Sequence, residues 1–137
     1  LQMSIIATNS LPILVVDDEK NYRIILSRLL TGAGYQVLTI DRPQAAMELL
    51  RQQPVALILS DMRMPEIDGL ELCRRVSQDI GSIPFILFSA CLPIRYRQEL
   101  DATIDAWGSL RKPFDNQEIL SLVEEVLTTA TNGETLS

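Results

Sequence analysis

Short apolar runs alternate with amphipathic, helix-like segments from one end of the sequence to the other. Several of the runs are nearly continuous in apolar residues, which is typical of parallel strands that are covered on both faces. Because parallel strands need long crossover connections, the helical segments must pack on both faces of one sheet. The pattern therefore predicts an α/β fold with a doubly wound, five-stranded parallel sheet. The predicted strands are residues 11–16, 35–40, 55–60, 83–89 and 106–110.

The segments between the predicted strands carry helix boundary signals as well as a helical period. Pro43 lies just inside the start of the second segment, where its missing N–H costs nothing, and Gly32 and Gly34 end the first. Asp115 followed by Glu118 predicts an N-terminal cap for the last segment. This order of elements is that of a flavodoxin-like (βα)5 fold. The predicted helices contain residues 22–30, 41–50, 68–77, 94–102 and 119–127.

Length and charge restrict the domain organisation and the partners. The 137 residues suit one domain, which we assign to residues 11–128, with a flexible N-terminal extension at 1–10 and a polar tail or linker start at 129–137. A net charge of −6 argues against nucleic acid as a partner. No apolar run approaches the roughly 20 residues of a membrane helix. Two cysteines without any histidine argue against zinc, and no leader is visible, so we expect a cytoplasmic protein with reduced thiols.

Polar residues follow the predicted strands at their carboxyl ends. The first strand runs into Asp17 and Asp18, the third into Asp61, the fourth into Ser89 and the fifth into Lys112. Ligands of open parallel sheets bind outside these ends, so we expect the side chains to lie at one edge. Three carboxylates and a hydroxyl, without histidine or thiolate, form a set of hard oxygen donors. Such a set favours Mg²⁺, with Mn²⁺ as a second candidate.

The acidic cluster after the first predicted strand, Asp17, Asp18 and Glu19, then has a function in holding that cation. We expect Asp18 and Asp61 to bind it directly, Asp17 to bind it through water, and a backbone carbonyl at Arg63 to complete the set. A carboxylate beside such a cation can attack phosphorus to form an acyl phosphate. We therefore predict Asp61 as the nucleophile. Lys112 would supply a fixed positive charge for the transferred group, and the Ser89 hydroxyl would donate a hydrogen bond to it.

Four ordered motifs, "VVDDE", "SDMRMPEIDGLEL", "FSA" and "RKPF", make the chain similar to the receiver domains of two-component response regulators over residues 13–127. The resemblance implies that Asp61 takes a phosphoryl group from the phosphohistidine of a sensor histidine kinase or histidine phosphotransfer protein. It implies a switch for an output domain or protein, not a turnover enzyme, and phosphorylation-dependent dimerisation would be ordinary. It also places Met64, Pro65 and Gly69 in the loop that shapes the site, and an often cis bond at Lys112–Pro113.

Three positions depart from the pattern of that family. Ser109 stands where members commonly carry the Tyr or Phe that relays phosphorylation to the output face. Arg63 and Cys91 stand at positions that tune the lifetime of the phosphoaspartate in the family, so we expect an altered lifetime. As a thiol, Cys91 is expected to be a small core or loop residue rather than a redox sensor.

Other functions and roles compete with this interpretation. Ser109 leaves open a pseudo-receiver that acts as a constitutive interaction module. The acids after the first strand could merely cap the first helix. Phosphatases with an Asp nucleophile usually need a second Asp where this chain has Arg63, and a flavin site would need an uncharged loop after the first strand.

Overall fold

The structure, a computed structural model, describes residues 11–89 and 108–131, with the side chain of residue 131 left out. Within these residues, five strands form one parallel sheet in the order β2-β1-β3-β4-β5. This order is the doubly wound arrangement that the alternating pattern predicted. The strands are β1 Ile13–Val16, β2 Val37–Ile40, β3 Leu57–Asp61, β4 Phe85–Ser89 and β5 Gly108–Arg111.

Both faces of the sheet are covered, which explains the continuous apolar runs. All four residues of β1 are buried, and they alternate between two hydrophobic clusters. Leu14 and Val16 pack with residues of α2 (Pro43–Gln52) and α3 (Gly69–Asp79). Ile13 and Val15 pack with residues of α1 (Lys20–Gly32) and α4 (Asn116–Thr131). The sheet is therefore the middle layer of three.

The helices begin and end largely where the sequence signals place them. Pro43 is the first residue of α2, and α1 is followed by Gly34 in the left-handed region at φ 102°. The Asp115 carboxylate accepts a hydrogen bond from Glu118 N (2.8 Å), and Glu118 Oε1 accepts one from Asp115 N (3.2 Å). This reciprocal pair is the predicted capping box of α4.

Some boundaries differ from the predicted ones. The first four strands begin two residues later than predicted, because the leading residues pair only through single backbone bonds such as Ala56 N to Pro12 O (2.8 Å). Helix α4 continues to Thr131, so it includes residues 129–131 that the sequence assigned to the tail. The predicted helix at 94–102 lies outside the described residues. Among the helices that are described, none is long and apolar enough to cross a membrane.

Candidate functional site

The carboxyl ends of four neighbouring strands bring the predicted site residues to one edge of the sheet. Asp17 directly follows β1, Asp61 and Ser89 are the last residues of β3 and β4, and Lys112 directly follows β5. Strands β1 and β3 are adjacent and pair Val16 with Ser60, so the next residues, Asp17 and Asp61, are neighbours. The predicted convergence of these residues is therefore observed.

Lys112 follows the outermost strand, β5, and its ammonium reaches the carboxylates at this edge. Its Nζ atom is 3.5 Å from Asp61 Oδ2, 3.8 Å from Asp17 Oδ2 and 3.8 Å from Glu19 Oε1. The lysine side chain is only 9% exposed. One buried cation thus faces three carboxylates, and the site keeps an excess of negative charge.

Asp17 is the buried member of the acidic cluster. Its Oδ1 accepts a hydrogen bond from Glu19 N at 2.9 Å, whereas Oδ2 is the one buried side-chain oxygen of the described chain without a hydrogen-bond partner. Burial raises the pKa of the Asp17 carboxyl from 3.8 to about 6, against the lowering effect of the Glu19 N–H, and the Asp61 charge raises it further. Arg23 Nη1 donates to the Asp17 carbonyl at 2.8 Å, which holds the end of β1 against α1.

The residues present fit a hard divalent cation. Carboxylate oxygens of Asp17, Glu19 and Asp61 lie within 4.8 Å of one another, and Asp17 Oδ2, which lacks a hydrogen-bond partner, is among the oxygens at this edge. Such oxygen donors suit Mg²⁺ or Mn²⁺. The sequence predicted Asp18 rather than Glu19, but Asp18 is exposed and makes no hydrogen bond or ion pair with the described residues. Its role as a ligand stays a prediction.

The acidic cluster does not cap the first helix through a side chain. Glu19 is the N-cap residue of α1, and its side chain makes no capping hydrogen bond. Its carboxylate instead faces Lys112. A capping hydrogen bond from the Glu19 side chain is therefore not observed, whereas the part of the alternative that rests on the helix dipole stays a prediction.

Backbone contacts fix the other site residues. Lys112 N donates to Ser89 O at 2.7 Å, so the serine and lysine strand ends are tied together, and Ser89 is buried. Arg63 N donates to Asp61 Oδ1 at 3.4 Å, while the Arg63 side chain is exposed. The Lys112–Pro113 peptide bond is cis, as the resemblance implied.

The loop between β3 and α3 packs closely around Asp61. Gly69 N donates to Met62 O at 2.8 Å, and a Cβ on Gly69 would overlap both the Asp61 carbonyl oxygen and Leu87 Cδ2. Only glycine therefore fits at this position. Met64 is half-buried and Pro65 is exposed.

Sequence reasoning missed two contacts of the lysine. It counted Glu19 in the acidic run but gave it no role, although the letters "DDE" contained the signal. It included Tyr22 in the first predicted helix, where its helical spacing is that of a core residue, whereas the Tyr22 ring also contacts the Lys112 ammonium. Of the positions that depart from the family pattern, Ser109 is exposed on β5 and Cys91 lies outside the described residues.

The fold and the site together define the class of protein. Residues 13–124 match the model of the response regulator receiver domain, and the chain belongs to this family of two-component signalling switches. The Lys112, Asp61 and Asp17 side chains that converge here are those on which the resemblance rested.

Curated relatives agree with this assignment. The response regulator receiver protein CpdR of Brucella abortus is 32% identical over 118 residues, covering 86% of this chain and 98% of CpdR. The DNA-binding transcriptional regulator NtrC of Escherichia coli K12 is 34% identical over 119 residues, covering 83% of this chain. The chain spans only 24% of the length of NtrC.

Solved structures extend the similarity to the backbone. The chemotaxis protein CheY4 of Vibrio cholerae has a TM-score of 0.77 at 28% identity, covering 85% of this chain and 98% of CheY4. The signal receiver domain of an HD domain-containing protein from Pseudomonas fluorescens Pf-5 has a TM-score of 0.83 at 26% identity, covering 90% and 92% of the two chains.

Proposed function

We propose that this chain is a cytoplasmic phosphoacceptor switch in which Asp61 receives a phosphoryl group from the phosphohistidine of a sensor histidine kinase or histidine phosphotransfer protein. The observation that carries the proposal is the buried Lys112 ammonium 3.5 Å from Asp61 Oδ2. The carboxylates of Asp17 and Glu19 lie beside it and, together with Asp61, suit a divalent cation. The chain catalyses its own phosphorylation, and hydrolysis later removes the phosphoryl group from Asp61. It is therefore a switch rather than a turnover enzyme.

The transfer step follows from the groups at the sheet edge. An Asp61 carboxylate oxygen attacks phosphorus, a P–O bond forms, and the P–N bond to the donor imidazole breaks. Lys112 offsets the negative charge of the phosphoryl oxygens, and the Ser89 hydroxyl donates a hydrogen bond to one of them. Asp17, Asp18 and Asp61, with the Arg63 carbonyl, would hold Mg²⁺, which would neutralise charge on the transferred group.

Apolar side chains beside the site support a protein as the phosphoryl donor. Ile24 and Ile25 of α1 are 38% and 55% exposed. Helix α1 begins at Lys20, directly after the acidic cluster, so both side chains lie within its first two turns. A donor whose histidine reaches Asp61 would cover this part of α1 and bury these side chains.

The output is proposed at the level of class. Phosphorylation would change the affinity of the chain for an output domain or protein, and a phosphorylation-dependent homodimer is one form this could take. The domain itself binds no nucleic acid in this proposal, although NtrC is named a DNA-binding regulator. The pseudo-receiver alternative keeps the same acceptor, lysine and acids and differs only in the relay position, Ser109. Partner affinity measured with and without phosphorylation separates the two, and equal affinities would favour the alternative.

Intact mass spectrometry with a small phosphoryl donor tests the proposal. The chain and its Asp61→Asn variant are incubated with acetyl phosphate, with Mg²⁺ or with EDTA. We expect one phosphoryl adduct that needs the metal, survives acid, is lost in base and is absent from the variant. An adduct that persists in Asp61→Asn, or no adduct with any divalent metal, would contradict the proposal.

A further inference from the structure

An aromatic ring lies against the Lys112 ammonium in addition to its acids. Lys112 Nζ lies 3.8 Å from the centroid of the Tyr22 ring and 5.1 Å from that of Phe88. The face of an aromatic ring attracts a cation at such distances, and the attraction grows when water is excluded. Because the Lys112 side chain is only 9% exposed, water competes weakly for it here.

Two other rings hold the Tyr22 ring in place. Its centroid is 6.4 Å from that of Phe88 in a stacked arrangement and 6.5 Å from that of Phe114 in a tilted one. Phe88 and Phe114 contact each other edge to face at 6.0 Å. Rings packed in this way resist rotation, since turning one ring breaks its contacts with both others. Tyr22 is thus a fixed platform on α1.

The acids alone do not fix the lysine. Lysine has a flexible four-carbon stem, and the ammonium could move among Asp17, Glu19 and Asp61 at little cost. The Tyr22 ring, 3.8 Å from Nζ, adds a contact that favours the position in which the ammonium also lies 3.5 Å from Asp61 Oδ2. Tyr22 therefore decides where the positive charge lies before any phosphoryl group arrives.

We propose that Tyr22 is a positioning residue for Lys112. The Tyr22 ring holds the lysine ammonium beside Asp61 in the unphosphorylated protein. The benefit to phosphoryl transfer rests on the proposed function, whereas the contact itself does not. A lysine that is already in place needs less reorganisation when negative charge develops on the transferred group.

The two lysines of the chain make a sharp test of the contact, because NMR needs to resolve only the Hε protons of Lys20 and Lys112. Protons above an aromatic face are shifted upfield, and exposed Lys20 provides the internal reference. We expect the Lys112 signal upfield in the native chain and in Tyr22→Phe, and much closer to that of Lys20 in Tyr22→Leu, where the more distant Phe88 ring leaves only a small shift. Tyr35→Leu removes another half-buried tyrosine at the opposite edge of the sheet, and it should leave the shift unchanged.

Phosphorylation rates with acetyl phosphate and Mg²⁺ test the consequence. We expect Tyr22→Leu to react about 5-fold more slowly than the native chain, and Tyr22→Phe and Tyr35→Leu to stay within about 2-fold. Circular dichroism confirms that each variant is folded. An upfield shift of Lys112 that is as large in Tyr22→Leu as in the native chain, native rates in that variant, or equal losses in Tyr22→Phe would overturn the inference. If the native chain takes no phosphoryl group, the proposed function fails while the NMR result still decides the contact.

Discussion

Lys112 Nζ lies 3.5 Å from Asp61 Oδ2, although the two residues are 51 positions apart in the sequence. Strand β4 lies between the strands that carry them, and the backbone bond from Lys112 N to Ser89 O draws the lysine toward the centre of the sheet edge. The positive charge is therefore in place before the reaction begins. Charge that is preorganised in this way is usually the largest contribution of a protein to such a step.

Removal of that charge should slow phosphorylation. We expect Lys112→Met to form the Asp61 adduct roughly 10- to 100-fold more slowly, because the phosphoryl oxygens lose their fixed cation. Lys20→Met is the matched control, since it removes the other lysine of the chain, an exposed residue at the start of α1. The rates are measured by intact mass with acetyl phosphate. Equal slowing in both variants would mean that only net charge matters.

The buried Asp17 carboxyl should make the metal-free protein less stable as pH rises. Its pKa is raised from 3.8 to about 6, so the folded state holds a proton that the unfolded state has lost. The free energy of unfolding therefore falls between about pH 4 and pH 6. We expect Asp17→Asn to be more stable than the native chain by roughly 1–3 kcal/mol at pH 7 in EDTA, and equally stable near pH 4.

Urea unfolding across this pH range in EDTA measures the effect, with exposed Asp18→Asn as the control that should change stability little. A variant Asp17→Asn that is less stable than the native chain at pH 7 would show that Lys112 compensates the buried charge fully.

Asp18 and Glu19 compete for the role of metal ligand. Glu19 lies with Asp17 and Asp61 but already faces Lys112, whereas Asp18 is exposed and has no partner to give up within the described chain. We therefore expect Asp18→Asn to weaken Mg²⁺ binding at least about 10-fold and Glu19→Gln by less. Isothermal titration calorimetry at pH 7 gives both affinities. The reverse order would assign the cation to the three carboxylates that cluster in the metal-free protein.

Gly69 should be required for the position of Asp61. A methyl group on Gly69 would overlap the Asp61 carbonyl and the Leu87 side chain, so we expect Gly69→Ala to lower the free energy of unfolding by about 1–3 kcal/mol. Gly32→Ala is the control, because a Cβ at Gly32 would meet no atom within 4 Å. Denaturant unfolding of both variants measures the difference, and an equally stable Gly69→Ala would show that the loop adjusts without cost.

Periodicity and the chemistry of strand ends predicted most of the fold and of the site. Continuous apolar runs such as Ile13–Val16 arise because both faces of the sheet are covered, and this burial is a local signal in the sequence. The carboxyl ends of parallel strands must share an edge, so Asp17, Asp61 and Lys112 could be placed together without coordinates.

Contacts that depend on side-chain direction could not be predicted in the same way. The Tyr22 spacing is that of a core residue, and only the packing of three rings reveals that its face also meets a cation. Glu19 illustrates the same limit, because its neighbour Asp18 has the same charge but does not belong to the group of carboxylates formed by Asp17, Glu19 and Asp61. Distances of a few ångströms between side chains depend on rotamers, which the residue pattern does not specify.

Chemical mapping of the phosphoryl group tests the central claim most directly. The chain is treated with acetyl phosphate and Mg²⁺ and then with borohydride, which reduces an aspartyl phosphate to homoserine, and its peptides are sequenced by mass spectrometry. We predict homoserine at position 61 and at no other aspartate, with none formed in EDTA. Homoserine at Asp17, Asp18 or Asp68, with residue 61 intact, would contradict the account.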